Sequence, residues 1–304
     1  MAELLTRYRG GRITKAAQAL ADRLEQAEKP IVTPYELYLE YRQLYSLNTK
    51  LYLRTKTPNV QAFERVRRVL VKANILGPDK DYGYRAYRVL SIGDRSADEI
   101  CCIVDPFCFI SHMSAMQMYG ISHRRPKALY LTRPSRKLQR ELSKEKFQKD
   151  YKDVIPLHRD EYIPLTVVTH PRRVRGREIS VFESANYGNY VKVRGANSRV
   201  ASIGQTFLDT LQSPKLCGGM RHVLEVWQNH AKTYLEEIVD AVDRSDKPIV
   251  KIRAGFILEE RLNFHNEKVS SWQRFAGRGS SRVLDPERSF APKFSEKWML
   301  SINV

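Results

Sequence analysis

Thr57-Pro58-Asn59-Val60-Gln61-Ala62-Phe63-Glu64-Arg65-Val66-Arg67-Arg68-Val69-Leu70-Val71-Lys72 is the stretch on which the reading of the first third of the chain turns. Thr57-Pro58-Asn59 opens a helix, because short polar side chains cap the free N–H groups of a first turn and Pro suits its entry. Phe63, Val66, Val69, Leu70 and Ala73 then recur at helical spacing and make one apolar face. Gln61, Arg65, Arg68 and Lys72 follow at spacings of four, three and four on the opposite face, with Arg67 at its flank. Arg can grip the O6/N7 edge of guanine with two hydrogen bonds, Gln suits adenine and Lys suits phosphate, so this stripe has the composition of a DNA recognition helix. Lys56 and Thr57, at its start, join the candidate DNA-contacting set. A merely solvated helix can carry the same stripe, so the flanking elements have to decide.

Outward from that helix, the flanks agree with it. Ile13, Ala16, Ala17, Leu20, Ala21 and Leu24 form the apolar face of a first helix that ends at Lys29-Pro30. Ile31-Val32 reads as a short strand. Thr33-Pro34-Tyr35-Glu36 has the form of a capping box with Pro in the first turn, and Leu37, Tyr41 and Leu44 continue a second helix. Beyond Asn74, Ile75-Leu76 lead to Gly77-Pro78, a turn at residues 79–83, and an alternating strand at residues 84–89. Arg85 and Arg88 would lie on this wing. Three helices and a hairpin give residues 1–93 the order of a winged helix-turn-helix DNA-binding domain.

Residues 94–304 are expected to form a second, mixed α/β domain, strands first and helices after, which makes the whole chain α+β. The acidic segment 94–99 would mark its edge, and the apolar run 100–104 would start a new sheet. A helix capped by Ser111 and stopped by Gly120 follows. Strands are expected at 128–132, 165–169, 179–183 and 190–193, and helices at 205–211, 220–231, 234–242 and 249–262.

The chain has 304 residues, enough for about two domains, and its formal net charge of +18 points to a polyanionic partner. Residues 1–90 hold 17 Lys/Arg against 9 Asp/Glu, residues 121–200 hold 19 against 8, and residues 201–304 hold only 15 against 13. Basicity therefore sits in the first and middle parts, and Arg124, Arg125, Arg172, Arg173 and Arg175 extend the candidate DNA footprint. No apolar run approaches the roughly 18 residues of a membrane span, and the first residues lack the apolar core of a secretory leader. Cys101, Cys102, Cys108 and Cys217 have neither paired CxxC spacing nor the density of a disulfide framework. A cytoplasmic protein without membrane partner, metal or cofactor is expected.

Several segments carry a resemblance when taken in order. They are Ser111-His112-Met113-Ser114-Ala115, Tyr119-Gly120, Arg199-Val200-Ala201-Ser202, Thr206-Phe207-Leu208-Asp209, Cys217-Gly218-Gly219, Arg253-Ala254-Gly255-Phe256-Ile257-Leu258-Glu259 and the closing Ser295-Glu296-Lys297-Trp298-Met299-Leu300-Ser301-Ile302-Asn303-Val304. Together they resemble the AbiEi family, the antitoxins of type IV toxin–antitoxin pairs, over nearly the whole chain. Where that family often has Pro-Glu before its Thr-hydrophobic-Leu-Asp helix, this chain has Gly204-Gln205. The resemblance implies a winged helix that binds inverted repeats in its own promoter and represses the operon. It further implies a C-terminal domain that counteracts a cognate AbiEii-type nucleotidyltransferase toxin, in a phage-defence setting.

Catalytic readings are weaker. His112 lies between Ser111 and Ser114 but has no acidic partner in reach of the pattern, and the serines fit helix capping. Asp209 reads as a structural hydrogen-bonder and Glu259-Glu260 as a solvated or salt-bridged pair. A toxin-type nucleotidyltransferase needs Gly-Ser followed by Asp-x-Asp for its metals, and no such pair follows Gly279-Ser280. Asp150-Tyr151-Lys152 matches half of a nuclease signature. The expectation is a non-enzymatic repressor and antitoxin, with a winged-helix-targeted metal-dependent nuclease or a ligand-sensing transcription factor as alternatives.

Overall fold

The structure is a computed structural model, and it describes residues 13–47, 51–53, 55–151, 158–277 and 282–304. The leader argument at the N-terminus, Lys152 and Gly279-Ser280 lie outside the described residues. The protein is mixed α/β, and no helix among the described residues is long and apolar enough to cross a membrane. The chain divides into two units. The first comprises residues 1–108, 133–179 and 194–198, and the second comprises 109–132, 180–193 and 199–304. This differs from a single cut at 93/94, because segments distant in sequence return to complete the first unit.

In the first unit, α1 (Lys15–Gln26) is capped by Thr14, whose hydroxyl accepts from the Ala17 N–H, and it buries Ala17, Leu20, Ala21 and Leu24. After β1 (Ile31–Val32) comes α2 (Pro34–Gln43). Its capping box is complete: the Glu36 N–H donates to the Thr33 hydroxyl, and the Thr33 N–H donates to the Glu36 carboxylate. Asn59 caps α3 (Val60–Lys72), accepting from Ala62 N–H at 2.8 Å. β2 (Leu76–Asp79) turns through Gly83, at φ +60°, into β3 (Gly83–Val89). β1 pairs antiparallel with β3, so the sheet order is β1-β3-β2. Phe63 stands edge-on to Tyr38 at 5.2 Å, and with Tyr41, Leu20 and Leu70 it forms the core beneath α3.

Two expectations fail here. Residues 100–104 are helical, within α4 (Ala97–Val104), rather than a strand. Asp98 and Glu99 occupy its first turn, where a helix favours negative charge, and the helix is buried on every side from Ile100 onward. Complete burial erases the period that separates helix from strand. Residues 165–169 form no strand; Val168 is buried, but the β-branched run reflects fit to an apolar surface without a ladder. Among the elements that were not expected is the helix Arg136–Asp150. It and the segment after it cover α2: the Tyr35 hydroxyl donates to Asp150, the Tyr38 hydroxyl donates to the Glu161 carbonyl, and Arg42 stacks on Tyr151 at 4.1 Å.

In the second unit the strand Phe109–Ile110 pairs antiparallel with Leu129–Pro134 and parallel with Arg199–Ala201, which pairs with Tyr190–Lys192. Helices Ile203–Gln212, Met220–His230, Leu235–Arg244 and Pro248–Gly255, the last running on as a π-helical turn over Phe256–Arg261, enclose Phe207, Trp227, Ile238 and Trp298. A Cβ on Gly204 would stand 2.2 Å from the Glu237 carbonyl oxygen, and one on Gly255 would stand 2.1 Å from the Trp298 ring. Both glycines are thus fixed by close approach. Gly204 lets Ile203–Gln212 lie directly on Leu235–Arg244.

Asp209 is enclosed in this unit. Burial pushes its carboxyl up to about 7, against the lowering effect of the bond that the Gln205 amide donates at 2.7 Å. A raised carboxyl favours the fold at low pH, and that stability is lost as pH climbs from about 4 through about 7. Asp209→Asn keeps an acceptor for Gln205 and carries no charge. Thermal melts between pH 5 and 9 should show the variant more stable than the parent at pH 8, with the gap closing toward pH 5.

Candidate nucleic-acid interface

The amphipathic α3 is the natural starting point. With Phe63 and Leu70 turned into the core, Gln61, Arg65, Arg68 and Lys72 are all exposed, as are Lys56 and Thr57 before the helix. Eleven residues of rise at 1.5 Å spread this stripe over about 16 Å, enough to follow a DNA groove. The geometry offers two exposed guanidinium groups, of which that of Arg68 spends its Nε–H on the Glu64 carbonyl at 3.3 Å, with an amide at one end and an ammonium at the other.

Three candidate arginines belong to the scaffold instead. Arg67 is three-quarters buried; its guanidinium donates to the Glu64 carboxylate and to the Tyr87 hydroxyl, joining α3 to β3. Arg88 is 15% exposed, paired with Asp94 and donating to the Ile92 carbonyl at 3.0 Å. Arg175 is 7% exposed and meets three carboxylates: Asp79 at 2.6 Å, Asp94 at 2.9 Å, and Asp81. It occupies a left-handed turn at φ +52° before Gly176, and its own N–H also donates to Asp81. Apart from Glu64, three residues before Arg67 on the same helix, none of these partners is visible as a helical spacing in the sequence.

Arg85 is left as the exposed arginine of β3; it donates to the Tyr82 carbonyl at 3.2 Å, and Tyr84 beside it is widely exposed. Arg172 and Arg173 are exposed in the same unit, Arg172 beside Glu178 at 3.4 Å. Arg124 and Arg125 are exposed in the second unit, where Arg124 donates to the Gly218 carbonyl. By sequence the first unit holds 32 Lys/Arg against 20 Asp/Glu, or +12 of the total +18. The charge of the middle block thus folds largely into the unit that carries α3.

The Arg175 cluster also sets local electrostatics. Burial alone would raise the Asp79 carboxyl, but hydrogen bonds from Arg175 and from the Asp81 and Tyr82 backbone hold it below the usual range. Asp94 falls to about 2, since Lys80 and Arg175 outweigh its partial burial. These carboxylates keep the turn between β2 and β3 in one arrangement beside Arg85. Behind α3 a cavity of about 510 Å³, lined by Lys15, Tyr41, Leu51, Tyr52, Arg65 and Val69 among others, escaped sequence reading because its walls are distant in the chain.

The remaining catalytic candidates are engaged structurally. Asp150 accepts from the Tyr35 hydroxyl and pairs with Lys146 at 2.9 Å. His112 is buried, and burial pushes its imidazole down to about 4. Ser111 bonds His112 Nδ1 at 2.8 Å and accepts from the Thr132 hydroxyl, rather than capping the helix as expected. Ser114 donates to the Ala128 carbonyl and accepts from the Tyr130 N–H, tying helix to strand. Glu259 pairs with Lys297 at 2.6 Å and accepts from Ser270, while Glu260 accepts from Ser295.

No protein-family model matches the sequence, and no curated protein matches it. Among solved structures, the RV2827C protein from Mycobacterium tuberculosis aligns over 97% of this chain and 94% of its own, with 10% identity and a TM-score of 0.47.

Removing Arg175 strands carboxylates that burial would otherwise neutralise. Arg175→Met should cost on the order of 3–5 kcal/mol in urea unfolding. Adding Asp79→Asn to that variant should recover part of the loss, because the buried charge goes with it.

Proposed function

We propose that this chain is a sequence-specific double-stranded-DNA-binding repressor whose first unit carries a winged helix-turn-helix. The observation that carries the reading is the exposed stripe of Gln61, Arg65, Arg68 and Lys72 on a helix whose other face is locked into the core. The element order helix, strand, helix, helix, hairpin, with a sheet ordered β1-β3-β2, supports the same reading. So does the net positive charge of the unit, which favours phosphate contacts. Arg85 supplies the wing contact, and Arg172 and Arg173 widen the phosphate-contacting surface.

The target follows from the AbiEi-like segments: inverted repeats upstream of the chain's own gene. By the same resemblance the second unit counteracts a nucleotidyltransferase-type toxin in the cytoplasm, without catalysis of its own. Its least charged part, residues 201–304, is the surface proposed to serve that role.

Gel shifts with the gene's upstream DNA test the first half. Binding should weaken steeply with salt, and Arg65→Ala or Arg68→Ala should each cost about 1–3 kcal/mol and relax sequence preference. Lys72→Ala should weaken all sequences alike. Arg67→Ala should lower the melting temperature without that loss of preference. Absence of binding at low salt sinks the proposal. In a growth-rescue assay with the toxin, the Arg65 and Arg68 variants should still protect.

A further inference from the structure

In the first unit, Asp105, Cys108 and His170 converge, with one ligand-type atom from each lying within 4.8 Å of the other two. Asp105 and Cys108 follow the C-terminus of α4, and His170 arrives from 65 residues downstream. All three side chains are inside the protein; those of His170 and Asp105 are 1% and 0% exposed. We propose that these three residues bind one divalent transition-metal ion of the zinc type through His170 Nε2, the Asp105 carboxylate and the Cys108 thiolate.

The imidazole carries the strongest evidence. Its Nδ1 lies 2.8 Å from the Tyr82 hydroxyl, so that side of the ring is satisfied. Its Nε2 is buried without a hydrogen-bond partner among the described residues. A buried polar nitrogen left in this way is expensive unless something occupies it. The nearest acidic atom, Asp105 Oδ2, is 3.8 Å away. That is too long for a hydrogen bond, yet two ligands each about 2.0–2.2 Å from a shared ion can stand up to about 4 Å apart.

The surrounding groups orient the set. In the tautomer whose Nδ1–H donates to Tyr82, the lone pair lies on Nε2, the arrangement by which hydrogen-bond partners orient metal-bound histidines. The Phe107 N–H donates to Asp105 Oδ1 at 2.8 Å. Cys108 Sγ lies 3.4 Å from the Cys101 carbonyl. On binding, the Cys108 S–H bond breaks, its proton leaves to solvent, and the sulfur forms the metal bond. One thiolate and one carboxylate then neutralise a dipositive ion, so no net charge is buried. Mixed nitrogen, oxygen and sulfur donors suit a borderline ion of the zinc type better than magnesium or calcium.

The ion would join three remote pieces of chain: the end of α4, residue 170, and through Tyr82 the turn between β2 and β3. Cobalt(II) titration of the full chain, chelator-treated and kept reduced without added thiols, tests this. One equivalent should bind with a near-ultraviolet thiolate-to-cobalt band, and zinc(II) should displace it. Cys108→Ser should abolish the band, His170→Gln should weaken binding at least about 100-fold, and Tyr82→Phe about 10–100-fold. Cys217→Ser, in the second unit, should leave the band in place. Absence of stoichiometric binding by the parent chain, or a thiolate band that survives Cys108→Ser, overturns the proposal. If the Cys108 variant does not fold, the parent titration and Tyr82→Phe decide it alone.

Discussion

One guanidinium organises the first unit. Arg175 comes from the middle of the chain and meets Asp79, Asp81 and Asp94, three carboxylates that flank the N-terminal hairpin. Placed together without it, they would repel one another and strain the turn between β2 and β3. With it, the turn is fixed and residues 171–177 are anchored beside it. The outward direction of Arg85 and the position of Tyr82 over His170 depend on the same turn. A charge that composition alone would count toward a basic surface therefore serves to build the scaffold.

What the sequence made legible was whatever short-range chemistry specifies. The capping box at Thr33 and Glu36, the strand at residues 31–32 and the two faces of α3 each follow from spacings of a few residues. The fate of individual arginines does not. Arg65 and Arg67 sit two positions apart on one helix, yet one is exposed and the other is held by Glu64 and Tyr87. The second partner lies 20 residues away and cannot be anticipated from periodicity. Helix Arg136–Asp150 was hidden for a related reason. Its charge-rich surface has no buried residue to mark an apolar stripe, and its identity emerges only through what packs near its end. At 100–104 the opposite holds, since a helix buried all round has no polar face to reveal its turn.

The second unit shows what the family-like segments are made of. Phe207, Asp209, Cys217, Arg253 and Trp298 are all interior. Arg253 donates to the carbonyls of Leu211 and Val283, stitching helix to loop, and burial lowers its guanidinium to about 10. Gly255 accommodates the Trp298 ring. These residues define packing, so a resemblance carried by them speaks to architecture before it speaks to any activity. Recognition of a partner would rest on the less constrained surface around them.

The discontinuous first unit has a consequence for synthesis. Its α3 stripe lies within the first 72 residues, but the unit also draws on residues 133–179 and 194–198. At about 5–20 residues per second, some 90 further residues after Cys108 take roughly 5–20 s to be made. Until the middle segment is made, the nascent chain holds Asp79, Asp81 and Asp94 without Arg175, and Tyr35 and Tyr38 without Asp150 and Glu161. Completion of the first unit is thus delayed until most of the second unit's strands have also been made. The two units are coupled in time of folding by the order in which one chain visits them.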